Sequence, residues 1–134
     1  SNEAYLVRFT HRIGNYFIEY CQAFKNGFLN LQTPELNHML NRLNVAYSKN
    51  LIGLNKEDEK LYRHCTCTGV SNMFELKSAH DFGIRFYLKK KDEQHLIFGG
   101  VGRKSNYKGK KQNNDMIRAH KEIEEYENSK IIQW

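Results

Sequence analysis

The residues best suited to chemistry are cations carried on short extended segments. Lys77 closes the run Met73-Phe74-Glu75-Leu76-Lys77, and Arg85 sits inside Ile84-Arg85-Phe86-Tyr87-Leu88. Successive side chains of an extended chain point to opposite faces. With Leu76 and Phe86 turned to a core, Lys77 and Arg85 therefore stand together on the other face, and Glu75 shares that face with Lys77. Arg103 and Lys104 follow the apolar run 96–101, and Tyr107, Lys108, Lys110 and Lys111 trail in the next stretch. Such a set makes a concave site for anions, phosphates above all. The plain alternative is that these are the outward positions of a one-sided sheet.

The charge balance points the same way. The chain of 134 residues has a formal net charge of +6. Residues 85–121 hold eleven Lys/Arg against three Asp/Glu, whereas residues 1–84 are close to neutral and 122–134 are acidic. Clustered positive charge is the footprint expected for a phosphate backbone, because each neutralised phosphate releases counterions. A solubilising lysine-rich surface would look alike in composition.

Other chemistries fit less well. His64-Cys65-Thr66-Cys67 with His80 lacks the two- to four-residue cysteine gap of structural zinc sites and has no second pair. Nothing local supplies a basic partner for a nucleophilic Cys65 or Cys67. Gly99-Gly100-Val101-Gly102 lacks the Lys-Ser/Thr ending of a phosphate-binding loop; those glycines permit a bulge or a close backbone approach. Apolar runs such as Leu96-Ile97-Phe98 fall far short of the roughly 20 residues a bilayer requires. Three cysteines (Cys21, Cys65, Cys67) cannot all pair within the chain, which favours a reducing cytoplasm.

The elements that would position these residues are legible from period. Tyr5-Leu6-Val7-Arg8-Phe9 has strand composition. Thr10 then caps a helix running to about Phe28, with Ile13, Phe17, Tyr20, Phe24 and Phe28 as one stripe. A second helix starts at Thr33-Pro34 and buries Leu36, Met39, Leu40, Leu43 and Tyr47. Asn55-Lys56-Glu57-Asp58-Glu59-Lys60 opens a short third helix. Strands follow at 73–77, 84–88 and 96–101, with Lys89-Lys90-Lys91-Asp92-Glu93 as a hairpin loop or a frayed strand end plus a turn. Asn113 or Asn114 caps a last helix carrying Met116, Ala119, Ile123 and Tyr126 on one side. The sum is an α+β domain: an N-terminal strand and helices packed on a small, antiparallel-rich sheet, closed by a C-terminal helix. One proline and no repeat or linker composition make residues 1–134 a single domain. Ser1-Asn2, with no initiating Met, reads as a tag remnant.

Three segments, in order, carry a family likeness: Met73-Phe74-Glu75-Leu76-Lys77, Gly83-Ile84-Arg85-Phe86-Tyr87, and Leu96-Ile97-Phe98-Gly99-Gly100-Val101-Gly102-Arg103-Lys104, followed by the amphipathic stretch 115–126. Together they resemble the RelE/ParE superfamily of small bacterial toxins, in particular the RelE/HigB-like mRNA interferase branch. Residues 29–69 are longer than that family's usual helix pair and read as an added helical or loop segment. Gly99 stands where one branch carries a histidine.

The resemblance implies a RelE-like fold and a cytoplasmic endoribonuclease that cuts mRNA on the ribosome, needs no metal or cofactor, and is held inactive by a cognate antitoxin protein. It matches Arg85 to the arginine on the scissile phosphate. Lys104, or its neighbour Arg103, matches the second cation near the leaving group, and Lys77 the basic residue closing the earlier strand. Tyr107 falls where an aromatic would stack on a base or move a proton, and Glu75 is an alternative general base. Lys108, Lys110 and Lys111 are expected to touch RNA phosphates without specifying sequence. Two other functions remain open: a non-catalytic protein of this fold that poisons DNA gyrase, and a basic nucleic-acid-binding module.

Overall fold

The computed structural model describes residues 17–52, 56–65, 67–92, 95–103 and 110–132. In chain order these form β1 (Phe17–Tyr20), α1 (Gln22–Leu29), α2 (Thr33–Ser48), β2 (Tyr62–His64), β3 (Met73–Lys77), β4 (Ile84–Asp92), β5 (His95–Arg103) and α3 (Lys110–Ile132). The strands make one five-stranded mixed sheet in the order β1-β5-β4-β3-β2. β1 runs parallel to β5, and the remaining pairs are antiparallel. The architecture is the expected α+β, with the sheet covered on both faces.

Alternation within the strands sorts side chains into two cores. On one face Leu76, Ile84, Phe86, Leu88, Leu96 and Phe98 meet Phe24 and Phe28 of α1 and Met39, Leu43, Ala46 and Tyr47 of α2. Phe24 is central, with Phe86 edge-on at 5.0 Å and Phe98 at 4.9 Å between ring centroids. On the opposite face Met73, Tyr87 and Ile97 meet Met116, Ala119 and Ile123 of α3, at the helical spacing read from the sequence.

Gly99 explains how α3 approaches so closely. A Cβ there would lie 2.7 Å from the Ala119 carbonyl oxygen and from Ile123. The β4–β5 register also slips at this point, since Tyr87 faces Gly100 while Leu88 faces Phe98. Both a bulge and a close approach therefore occur at one glycine.

Several expectations are corrected. The stripe assigned to a helix from Thr10 to Phe28 is divided: Phe17–Tyr20 is a strand on the β5 edge, and the helix begins at Gln22. Residues 5–16 lie outside the described residues. Lys56 to Lys60 form no helix; Asp58 bridges Tyr62 in a turn, and Asn55 lies outside the described residues. Of the two readings of 89–93 the strand end holds and the loop does not: Lys89 to Asp92 extend β4, because Lys89 pairs with Ile97 and Lys90 with Leu96. α3 starts at Lys110, ahead of the asparagines expected to cap it.

Candidate anion-binding site

The site is built at the end of the sheet where β3 turns into β4. Across that ladder Lys77 faces Arg85, Leu76 faces Phe86 and Glu75 faces Tyr87; across the next, Arg63 faces Glu75. Arg63, Glu75, Lys77 and Arg85 thus share the face that α3 partly covers. Glu75 is 0% exposed. A buried carboxylate needs partners to remain charged, and two arginines supply them. Arg63 Nε donates to Oε1 at 2.5 Å, and Arg85 Nη1 reaches Oε2 at 3.5 Å.

The loop joining the two strands is closely tied. Ser78 N–H donates to the Ile84 carbonyl, and Ile84 N–H donates to Ser78 Oγ, both at 2.9 Å. Gly83 has φ +61, a left-handed conformation that glycine adopts without strain. Ala79 N–H donates to His38 Nε2 at 2.8 Å, and the His38 ring stacks on Phe82 at 4.1 Å. This contact makes Nε2 an acceptor, so the ring is neutral; burial first, and then Arg42, holds its pKa below the ordinary histidine value.

Arg42 joins helix to sheet. Its Nε donates to the Lys77 carbonyl at 2.8 Å and its Nη2 to the Lys60 carbonyl. Lys77 Nζ in turn donates to the Glu59 carbonyl at 2.9 Å. Between these parts lies a cleft of about 400 Å³, lined by Arg42, Lys60, Lys77, Ser78, Ala79, His80, Gly83, Ile84 and Arg85. Four cations line it, and no carboxylate is among the described residues of its wall. Burial, followed by the charges of Arg85 and Arg63, pulls the Lys77 ammonium below the ordinary lysine range. Burial does the same to Arg42. An anion entering the cleft would meet excess positive charge on partly desolvated groups, where charge-assisted hydrogen bonds are strongest.

Of the residues singled out from the sequence, the structure brings Arg85 and Lys77 into the cleft and sets Glu75 behind them. Arg103 goes elsewhere. Its Cα partner on β4 is Ile84, a core residue of the α1–α2 face, so it lies across the sheet from Arg85. There it grips Glu35 through two hydrogen bonds of 2.8 and 3.0 Å. Glu35 also accepts from the Gln32 N–H at the start of α2, and its pKa is lowered first by Arg103 and then by that backbone donor. Lys104, Tyr107 and Lys108 lie outside the described residues. Lys110 and Lys111 fall in the first turn of α3, and their side chains lie outside the described set.

Sequence reasoning missed Arg42, Lys60, Ser78 and His80. Nothing local marks Arg42 or Lys60, because Arg42 meets the Lys77 carbonyl across 35 positions and the Lys60 carbonyl across 18; Ser78 and His80 follow Lys77 in the loop, where the sequence offered His80 only for a zinc site that does not fit. Cys21 and Cys65 do not compete for the role of nucleophile: burial pushes their thiols up to about 12. No group of three His, Cys, Asp or Glu with metal-site geometry occurs among the described residues. No helix among them is long and apolar enough to cross a membrane.

No protein-family model matches the chain, and no curated protein matches it. Among solved structures, the chain is similar to a chain in the crystal structure of the intact E. coli RelBE toxin–antitoxin complex. That similarity has a TM-score of 0.48 and 16% sequence identity, and it covers 68% of this chain and 99% of the other.

Proposed function

We propose that this chain is the toxin of a toxin–antitoxin pair and a cytoplasmic endoribonuclease that cuts mRNA on the ribosome. The observation that carries the reading is the cleft in which Arg42, Lys60, Lys77 and Arg85 converge with no carboxylate in the described wall. The resemblance of the strands carrying Lys77 and Arg85 to RNA-cleaving toxins supplies the reaction class.

A phosphodiester seated in the cleft would lie against two guanidinium groups whose positions are set from behind, Arg85 by Glu75 and Arg42 by two carbonyls. Planar guanidinium forks suit phosphate oxygens. In the reaction the 2′-hydroxyl oxygen bonds to the adjacent phosphorus and the bond from phosphorus to the 5′-oxygen breaks, leaving a cyclic phosphate. Cations offset the charge of the phosphorane, while a base takes the hydroxyl proton and an acid protonates the 5′-oxygen. An antitoxin would silence the protein by laying an acidic segment over the same cations.

Inducible expression in bacteria, with primer-extension mapping of a reporter mRNA, tests this reading. Growth arrest with codon-phased cuts that disappear in Arg85→Ala supports it. Arrest without cuts contradicts it and turns attention to a non-catalytic target such as DNA gyrase.

A further inference from the structure

We propose that His80 is the proton-transferring residue of this cleft, the base that takes the proton from the RNA 2′-hydroxyl. The inference rests on the ribonuclease reading above and adds to it a residue that the strand motifs do not contain.

Positive charge stabilises a phosphorane but does not move a proton, so a metal-free cleavage needs a side chain with an available lone pair. Among the residues that line the cleft, and Glu75 behind them, the other candidates are engaged or carry no acceptor. Glu75 is 0% exposed and gives one oxygen to Arg63 and the other to Arg85. Lys77 Nζ donates to the Glu59 carbonyl. Ser78 Oγ donates to the Ala79 carbonyl while accepting the Ile84 N–H. Arg42, Arg85 and Lys60 are donors only.

His80 differs on each count. It lines the cleft, it is exposed, and its ring has no hydrogen-bond or ionic partner among the described residues. Its backbone is nonetheless fixed on both sides, since Ala79 N–H is bonded to His38 and Phe82 is stacked on the same ring. An imidazole without a hydrogen-bond partner among the described residues, on an anchored loop beside the cleft, is a group held ready for substrate. The charged groups around the cleft are Lys77 of β3, Arg85 of β4, Arg42 of α2 and Lys60 ahead of β2, with Asp81 next in the loop.

The step balances without a further reactant. A neutral ring nitrogen takes the 2′-hydroxyl proton, and the freed electron pair forms the bond from that oxygen to phosphorus. The 5′-oxygen leaves with the pair of the broken bond and takes a proton from water. The imidazolium returns its proton to solvent before the next turnover.

The test is single-turnover cleavage of ribosome-bound mRNA by wild type, His80→Gln and Arg85→Ala, measured from pH 5 to 8.5. His80→Gln is expected to slow cleavage by about 10²- to 10⁴-fold, the usual contribution of general acid–base catalysis. It should also change the dependence of the rate on pH, because the group that takes the proton is gone. The variant's melting temperature should match the wild type, because the exposed ring makes no hydrogen bond or ion pair among the described residues. Wild-type cleavage that persists in His80→Gln with an unchanged pH profile, yet is lost in Arg85→Ala, overturns the assignment of His80 alone. No cleavage by the wild type overturns the ribonuclease reading and the role of His80 with it.

Discussion

Arg85 stands directly opposite Lys77 across the β3–β4 ladder, two cations on one face beside the cleft. Like charges in that position destabilise a sheet by roughly 0.2–1 kcal/mol. Here the repulsion is offset by Glu75, two residues before Lys77 on the same face, and by the Glu59 carbonyl that accepts from Lys77 Nζ. The lowered pKa of Lys77, caused by burial and then by Arg85 and Arg63, expresses the same crowding. A bound anion would relieve it.

Lys77→Met therefore separates folding from binding. The apolar side chain keeps most of the stem and removes the repulsion, so the ligand-free protein should gain up to about 1 kcal/mol by urea titration. Affinity for single-stranded RNA should fall, and the slope of log K against log salt should shrink by about 0.7 for one lost phosphate contact. Equilibrium unfolding together with filter binding at several salt concentrations checks both parts.

Glu75→Gln removes the charge that both Arg63 and Arg85 face. Breaking a buried ion pair from one side costs about 3–5 kcal/mol. Arg63 is partly exposed, and solvent screening should reduce the loss here to about 2–3 kcal/mol. A shift of the urea midpoint with an unchanged m-value is the expected readout.

His38 gives the fold a pH dependence of predictable sign. Its folded-state pKa is lowered, first by burial and then by Arg42, from the ordinary 6.5. Below about pH 6.5 the unfolded chain binds a proton that the folded ring excludes, so stability falls as pH drops through that range and is fully present above it. A protonated Nε2 would also point a hydrogen at the Ala79 N–H. The urea midpoint of the wild type should fall between pH 7.5 and 5.5, and His38→Gln, whose amide oxygen still accepts, should show a smaller change.

Arg103 marks a residue that the sequence motif places in the site and the structure does not. Its side chain is 51% exposed and bonds to Glu35 across the sheet from the cleft. Arg103→Ala should lower stability by no more than about 1 kcal/mol, as for other exposed pairs. RNA affinity should change far less than in Arg85→Ala when the two are compared in one binding assay.

What was legible in the sequence is what depends on local period. β3 and β4 could be read because Leu76 and Phe86 alternate with Lys77 and Arg85, and α2 because Pro34 follows Thr33 at the head of a helical stripe. The same stripe misled at Phe17 and Tyr20, whose helical spacing yields to a parallel pairing with a strand nearly eighty residues on. Alternation correctly put Glu75 on the face of Lys77, but its burial depends on Arg63 and Arg85. Half of the cationic wall was hidden for a similar reason, since Arg42 reaches the cleft through carbonyls that no local pattern ties to it.

The central claim, that this cleft is where RNA is held, is tested most directly by amide NMR titration with a short single-stranded RNA. Its 2′-hydroxyls would be methylated so that it binds without being cut. The account predicts that the largest shifts fall on Lys60, Lys77, Ala79, His80, Gly83 and Arg85, and that they are lost in Arg85→Ala. Shifts confined to α3 or to the β1 edge, with these residues unmoved, would contradict it.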